Sequence, residues 1–176
     1  HTIGRRQRQM CIRDSPMKFD PNGVRETYAK MFLTTWNVYK FHADYAALDG
    51  FDPEAQAVPV AERSALDRWV LSRLHTVAAA YHENFTNWQF HKACRDLEDF
   101  MVNDVSNWYV RRSRRRLWDD ADSHDKLACQ HTLHEVLETV CKLVAPVSPF
   151  MVDSIHRNLT GTSVHTADWP LGVPGG

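Results

Sequence analysis

Between Asp20 and Gly161 apolar side chains recur at intervals of three and four, and no stretch alternates apolar and polar residues long enough to form a central strand. A chain patterned this way buries its stripes by packing helix on helix. The first stripe, Val24, Tyr28, Met31, Phe32, Trp36 and Tyr39, follows Asp20, a capping residue, and Pro21, which suits the first helical position. It predicts a helix to about Ala47, ended by Gly50 and Pro53 ahead of a loop through Pro59. A second helix is expected from near Ala61, carrying Leu66, Trp69, Val70, Leu74, Val77 and Tyr81 and fading at Asn84. Asn87 reads as the cap of a third, with Trp88, Cys94, Leu97, Met101, Val105, Trp108 and Tyr109, broken by Asp119 to Ser123. A fourth follows from Ser123 with Leu127, Leu133, Val136, Leu137, Val140 and Val144, and stops before Pro146. Ser148 and Pro149 start a short fifth, with Phe150, Met151, Ile155 and Leu159, closed by Gly161.

The expected fold class is therefore all-α, a helical bundle of four to five helices with an irregular C-terminal tail. Helices of about 25 residues span roughly 35 to 40 Å at 1.5 Å per residue. The organisation expected is a disordered or non-native head over 1–15, where four arginines lie without an apolar face, then the bundle over 16–160 and a tail over 161–176. Trp36, Trp69, Leu74, Leu97, Trp108, Leu137 and Val144 are the expected shared core, because they recur on the stripes.

At 176 residues the chain is long enough to bury such a core, and 43% hydrophobic against 24% charged residues is an ordinary globular composition. The 21 Lys and Arg against 22 Asp and Glu leave a net charge of -1, so a polyanion can be met only by a local patch. No apolar run approaches the roughly 18 to 20 residues of a membrane span and no signal segment opens the chain, so membrane partners are not expected and the localisation expected is cytoplasmic. Cys11, Cys94, Cys129 and Cys141 lack C-x-x-C spacing, and Cys94 and Cys141 fall on apolar faces, which favours reduced, core-filling thiols.

Catalysis needs convergent groups, and the sequence offers none. It lacks a Walker loop, G-x-S-x-G, H-E-x-x-H and G-x-G-x-x-G. Cys129, His131 and His134 are close together, but the thiol points away from the histidine face and no second ligand pair stands at a usable spacing, so neither metal nor catalytic residues are assigned. One local feature is distinctive. Asn107 to Trp118, NWYVRRSRRRLW, sets Arg111, Arg112, Arg114, Arg115 and Arg116 within a few helical turns behind a Trp-Tyr pair, between acids at Asp96, Glu98 and Asp99 and at Asp119, Asp120 and Asp122. Guanidinium groups fork onto phosphate oxygens and aromatic faces take unstacked bases, so the pattern suits an RNA backbone as well as a solvated helix end.

Four blocks of this sequence resemble the C-terminal, anticodon-binding helical region of class I isoleucyl-tRNA synthetases. They are TTWNVYKFHADYAALDGFDP from Thr34, LDRWVLSRL from Leu66, NDVSNWYVRRSRRRLWD from Asn103, and KLVAPVSPFMVDSIHRNL from Lys142 with SVHTADWP from Ser163. Together they cover roughly Pro16 to Pro170. One departure is Asp153-Ser154, where the family more often has two adjacent acids. The resemblance implies a module that grips the anticodon stem-loop of tRNA(Ile) beside a parent catalytic domain. It also implies that the ATP and magnesium of isoleucylation belong to that domain, with no cofactor in this chain. The RNA-contact residues it suggests are Arg111, Arg112, Arg114, Arg115 and Arg116 on phosphates and Tyr109 or Trp118 on the RNA face, with Trp108 in the core. Not all five arginines can face one surface, and the remainder are expected to pair with acids such as Asp104, Asp119 or Asp120. The same module of a valyl- or leucyl-tRNA synthetase, and a helical protein-interaction domain without RNA affinity, are the competing readings.

Overall fold

The computed structural model of the chain describes residues 21–55, 57–118 and 123–170. Five helices account for the bundle. α1 runs Pro21–Thr27, widens into a π-helical stretch at Tyr28–Leu33 and continues as Thr34–Asp49; α2 is Ala65–Thr86. α3 runs Phe90–Asp99, passes through a long π-helical stretch at Phe100–Val110 and returns to α-helix over Arg111–Trp118. α4 is His124–Val144 and α5 is Pro149–Thr160. Among the described residues there is no strand, and no helix is long and apolar enough to cross a membrane. The expected head over 1–15, Cys11, the Asp20 cap and the acids Asp119, Asp120 and Asp122 lie outside the described residues, as does the tail from 171 onward.

Most boundaries follow from local chemistry. Gly50 takes the left-handed conformation, φ 63°, that ends α1, and Gly161 does the same for α5 at φ 75°. Ser123 caps α4 by accepting from the Lys126 backbone N–H, and Pro149 opens α5. The second helix starts later than expected. Val60–Glu62 form a single 3-10 turn, and Ser64 then caps α2 in a reciprocal box with Asp67. Asn87 ends α2 rather than capping α3, and Trp88 reverses the chain at φ 61° before Gln89 takes the cap position.

α4 is the central helix, buried along most of its length from Lys126 to Val144. Around it close Leu71, Leu74 and Tyr81 of α2, Leu97, Phe100, Met101 and Tyr109 of α3, and Val152 and Ile155 of α5. Leu74, Leu97, Leu137 and Val144 are in this core as expected, whereas Trp69 is only partly buried and Trp36 and Trp108 are 42% and 46% exposed. Trp108 fails for a definite reason. A π turn holds more residues than an α turn, so a stripe counted at 3.6 drifts out of phase; the buried residues of this stretch, Phe100, Met101, Val105, Tyr109 and Val110, fall at spacings of four and five. Tyr109 turns inward and Trp108 outward.

Polar groups join the helices at the bundle's two-layer seams. Lys126 Nζ and Gln130 Nε2 reach Asp49 at the end of α1 at 2.7 and 2.6 Å, and Arg63 bonds Glu135 at 2.9 Å and the Val58 carbonyl at 3.0 Å, pinning the α1–α2 connection to α4. Asp153 of α5 accepts from Arg157 Nε at 2.8 Å, Ser163 Oγ at 2.5 Å and the Val164 N–H at 3.0 Å, which folds the tail back against the bundle. Where α1 meets α4, His42 is buried beside Phe51 and His134, with ring centroids 5.8 Å from each. Burial, with His134 and His131 adding to it, pushes its pKa down to about 3.

Two outcomes follow. Leu137→Ala should cost about 2 to 5 kcal/mol in a urea melt, whereas Trp36→Ala should cost less than about 1 kcal/mol, because only the first opens a sealed cavity. Between pH ~6.5 and 3 the unfolded chain holds a proton on His42 that the folded chain does not. The stability contribution is therefore complete above ~6.5 and is lost as pH falls, by at most about 1.4 kcal/mol per pH unit. Urea melts at pH 7 and pH 5 should show a larger drop for the natural chain than for His42→Phe; equal drops would contradict the assignment.

Candidate nucleic-acid interface

The basic run occupies the last α-helical segment of α3, and the five arginines divide sharply. Arg116 turns inward. Its Nη1 and Nη2 meet the Asp67 Oδ1 and Oδ2 at 2.8 and 2.7 Å in a two-pronged fork, and its Nε and Nη2 hold Asp125 of α4 at 2.7 and 2.8 Å. The Tyr109 hydroxyl donates to Asp67 Oδ1 at 2.5 Å, and Ser64 Oγ donates to Oδ2 at 2.7 Å. Asp67 is wholly buried, and burial alone would raise its pKa. Hydrogen bonds from Arg116, Tyr109 and Ser64 outweigh that and hold the carboxyl below the usual carboxylate range. Burial pushes the Tyr109 phenol well above its ordinary value, which keeps it a donor.

Tyr109 is thus 0% exposed, and the RNA-face role expected for it does not fit its position. The π-helical phase that exposes Trp108 buries its neighbour. Arg116 likewise belongs to the bundle's interior seam rather than to a phosphate face. The pairing expected with Asp104 goes to another partner, since Asp104 takes Arg73 of α2 at 3.0 Å. Asp119 and Asp120 lie outside the described residues.

Arg111, Arg112, Arg114 and Arg115 are exposed. At ~100° per residue, Arg112 points toward the α2 side, Arg114 toward α1, and Arg111 and Arg115 lie between them. The Arg112 guanidinium sits 3.8 Å from the centroid of the Trp108 ring, which in turn lies 6.4 Å from Trp69. On the other flank Arg114 lies 5.9 Å from the Phe41 ring, and Trp118, 61% exposed, donates its indole N–H to the Tyr45 hydroxyl. The result is a convex arc of four cations bracketed by exposed aromatic rings, with two flanking arginines steadied by π contacts. Such an arc can bind phosphate oxygens and offer ring faces to unpaired bases. Among the described residues no group of three or more His, Cys, Asp or Glu is placed to hold a metal ion.

The sequence reading missed Asp67, although Ser64-Ala-Leu-Asp67 ahead of an apolar run is a capping-box signal that could have found it. It did not indicate that Arg116 would be its partner, because 49 residues separate the two.

Comparison with known proteins finds a family and relatives for the chain. The family described as the anticodon-binding domain of tRNA ligase matches residues 67–174. The chain is 45% identical over 166 residues to the isoleucine–tRNA ligase of Porphyromonas gingivalis, covering 92% of this chain and 15% of that protein. It is 41% identical over 171 residues to the isoleucine–tRNA ligase of Bacteroides thetaiotaomicron, covering 92% and 15%. Against that of Bacillus thuringiensis it is 44% identical over 154 residues, covering 88% and 15%. The chain therefore spans about 15% of the length of these relatives.

Arg116→Ala strips Asp67 of its buried counter-charge and should cost about 3 to 5 kcal/mol in a urea melt. Arg111→Ala and Arg115→Ala, on the solvated arc, should stay within about 0.5 kcal/mol of the natural chain.

Proposed function

The chain belongs to the anticodon-binding domain family of tRNA ligases, and on that premise we propose that it grips the anticodon stem-loop of tRNA(Ile) on behalf of an isoleucine–tRNA ligase. The observation that carries this reading is the four-arginine arc, free of the interior ion pairs that engage Arg116 and flanked by Trp108 and Trp118. The names carried by its relatives favour isoleucine over the valyl and leucyl alternatives. In this reading the chain does no chemistry. ATP and magnesium act in the parent's catalytic domain, tRNA charging takes place in the cytoplasm, and this bundle supplies affinity and register.

The arginines contribute through counterion release. Each phosphate neutralised frees bound cations, so affinity falls with salt by a slope of about 0.7 to 0.9 per contact. Trp118 and Trp108 add sequence-tolerant stacking, worth about 1 to 3 kcal/mol for each base that stacks. A protein-interaction surface without RNA affinity would lack this salt signature.

In the full-length enzyme, alanine at Arg111, Arg112, Arg114 or Arg115 should weaken tRNA binding and lower the salt slope by about one where the side chain meets a phosphate. Filter binding across a salt series reads both quantities. Unchanged affinity and slope in all four variants would remove the arc from the RNA interface.

A further inference from the structure

Trp118 is the last residue of α3, and on the helix it falls between Arg114 and Arg111, on the outward face of the arc. Its ring is tethered. The indole N–H donates to the hydroxyl of Tyr45, which belongs to α1, 73 residues earlier in the chain. Arg114 meets the same stretch of α1, since its guanidinium lies 5.9 Å from the ring of Phe41, and Phe41 packs edge to face on the Tyr45 ring at 4.9 Å. Two members of the arc therefore take their bearings from one turn of α1.

That turn is anchored from both sides. Phe41 and Tyr45 are half-buried and pack against the core cluster. One turn further on, Asp49 accepts from Lys126 Nζ and Gln130 Nε2 at 2.7 and 2.6 Å, and the left-handed Gly50 closes the helix. The adjoining face of α1 is less filled, because Ala43, Ala46 and Ala47 line a cleft beside His42. The Asp49 bonds and the aromatic pair are thus what fix Tyr45 relative to α3 and α4.

The bond to Tyr45 is not required to satisfy the indole. Trp118 is 61% exposed, and an indole N–H at the surface is paired by water as readily as by a phenol. What Tyr45 adds is orientation. A tryptophan at a helix end otherwise samples several rotamers, and each side chain already ordered before binding tightens a complex about two- to tenfold. We propose that Tyr45 is a positioning residue for the arginine arc: through the indole N–H it holds the Trp118 ring in the one orientation that a bound RNA meets, with Phe41 bracing it beside Arg114. Tyr45 itself touches no RNA in this assignment, and the inference rests on the RNA reading above.

In the full-length enzyme, Tyr45→Phe removes only the hydroxyl. It should weaken tRNA binding about two- to tenfold in a filter assay, leave the salt slope unchanged because no phosphate contact is lost, and leave the thermal melt unaltered. In a Trp118→Phe background, where a ring remains and the N–H is gone, the same substitution should change affinity by less than about twofold. Fluorotryptophan incorporated throughout the enzyme gives a readout independent of RNA: the fluorine NMR signal that Trp118→Phe deletes should shift or broaden with Tyr45→Phe. An unmoved Trp118 signal overturns the proposal, because the ring then keeps its orientation without the phenol. A further loss of affinity from Tyr45→Phe in the Trp118→Phe background overturns it as well, since Tyr45 would then contact the RNA directly. So does a moved signal with unchanged tRNA affinity. In that last case the arginine variants decide what else falls: lowered salt slopes leave the arc as an RNA site that needs no fixed Trp118, and flat slopes remove the RNA reading too.

Discussion

The buried carboxylate of Asp67 is the constraint around which three helices are arranged. An ionised group with 0% exposure is tolerable only when its oxygens are fully engaged, and here they are: Ser64 from its own helix cap, Tyr109 and Arg116 from α3. Arg116 then carries the connection onward to Asp125 in the first turn of α4. Desolvation sets the geometry. Misplacing α2 or α3 by an ångström or two leaves the Asp67 charge in the core without its partner, and the cost of that exceeds what local repacking could recover. The network contributes to uniqueness of the arrangement at least as much as to its stability.

The same network divides the basic run. Five arginines on one short helix repel one another, and turning one of them onto two carboxylates relieves part of that repulsion while orienting the other four outward. Exposed guanidinium groups are well solvated and long-stemmed. The Trp108 face beneath Arg112 and the Phe41 ring near Arg114 limit the freedom of the two flanking side chains. Because the chain as a whole has a net charge of -1, this arc is a local positive field on a nearly neutral body. Such an arrangement favours orientation of a polyanion over indiscriminate adhesion.

Tryptophan placement follows the same division between apolar and polar demands. Leu74, Leu97, Leu137 and Val144 have no polar atom and fill the sealed interior around α4. Trp36, Trp69, Trp108 and Trp118 stand on the rim instead, where a large ring covers apolar surface while its N–H keeps access to water or to a hydroxyl such as that of Tyr45. The cleft beside His42 arises differently. Ala43, Ala46 and Ala47 of α1 are too small to fill the space opposite His134 and Leu159, so a concavity remains where larger residues would have closed the seam.

Helix count, order and class were legible in the chain because apolar periodicity, serine caps, Pro149 and the glycines at 50 and 161 act within a few residues of themselves. The presence of a basic surface was legible for the same reason. Which residues formed that surface was not. The π-helical stretch at Phe100–Val110, which packs against α2 and α1, shifts the phase of α3, sending Tyr109 inward and Trp108 outward, and no local propensity announces that shift. Arg116 could be told from its four neighbours only once folding brought Asp67, 49 residues away, beneath it. The sequence by itself determined the helices and their polarity, since those depend on short-range hydrogen bonding and period. Tertiary structure alone decided which arginine turns inward, which aromatic is exposed and where the cleft lies, since these depend on contacts between segments that meet only in the folded bundle.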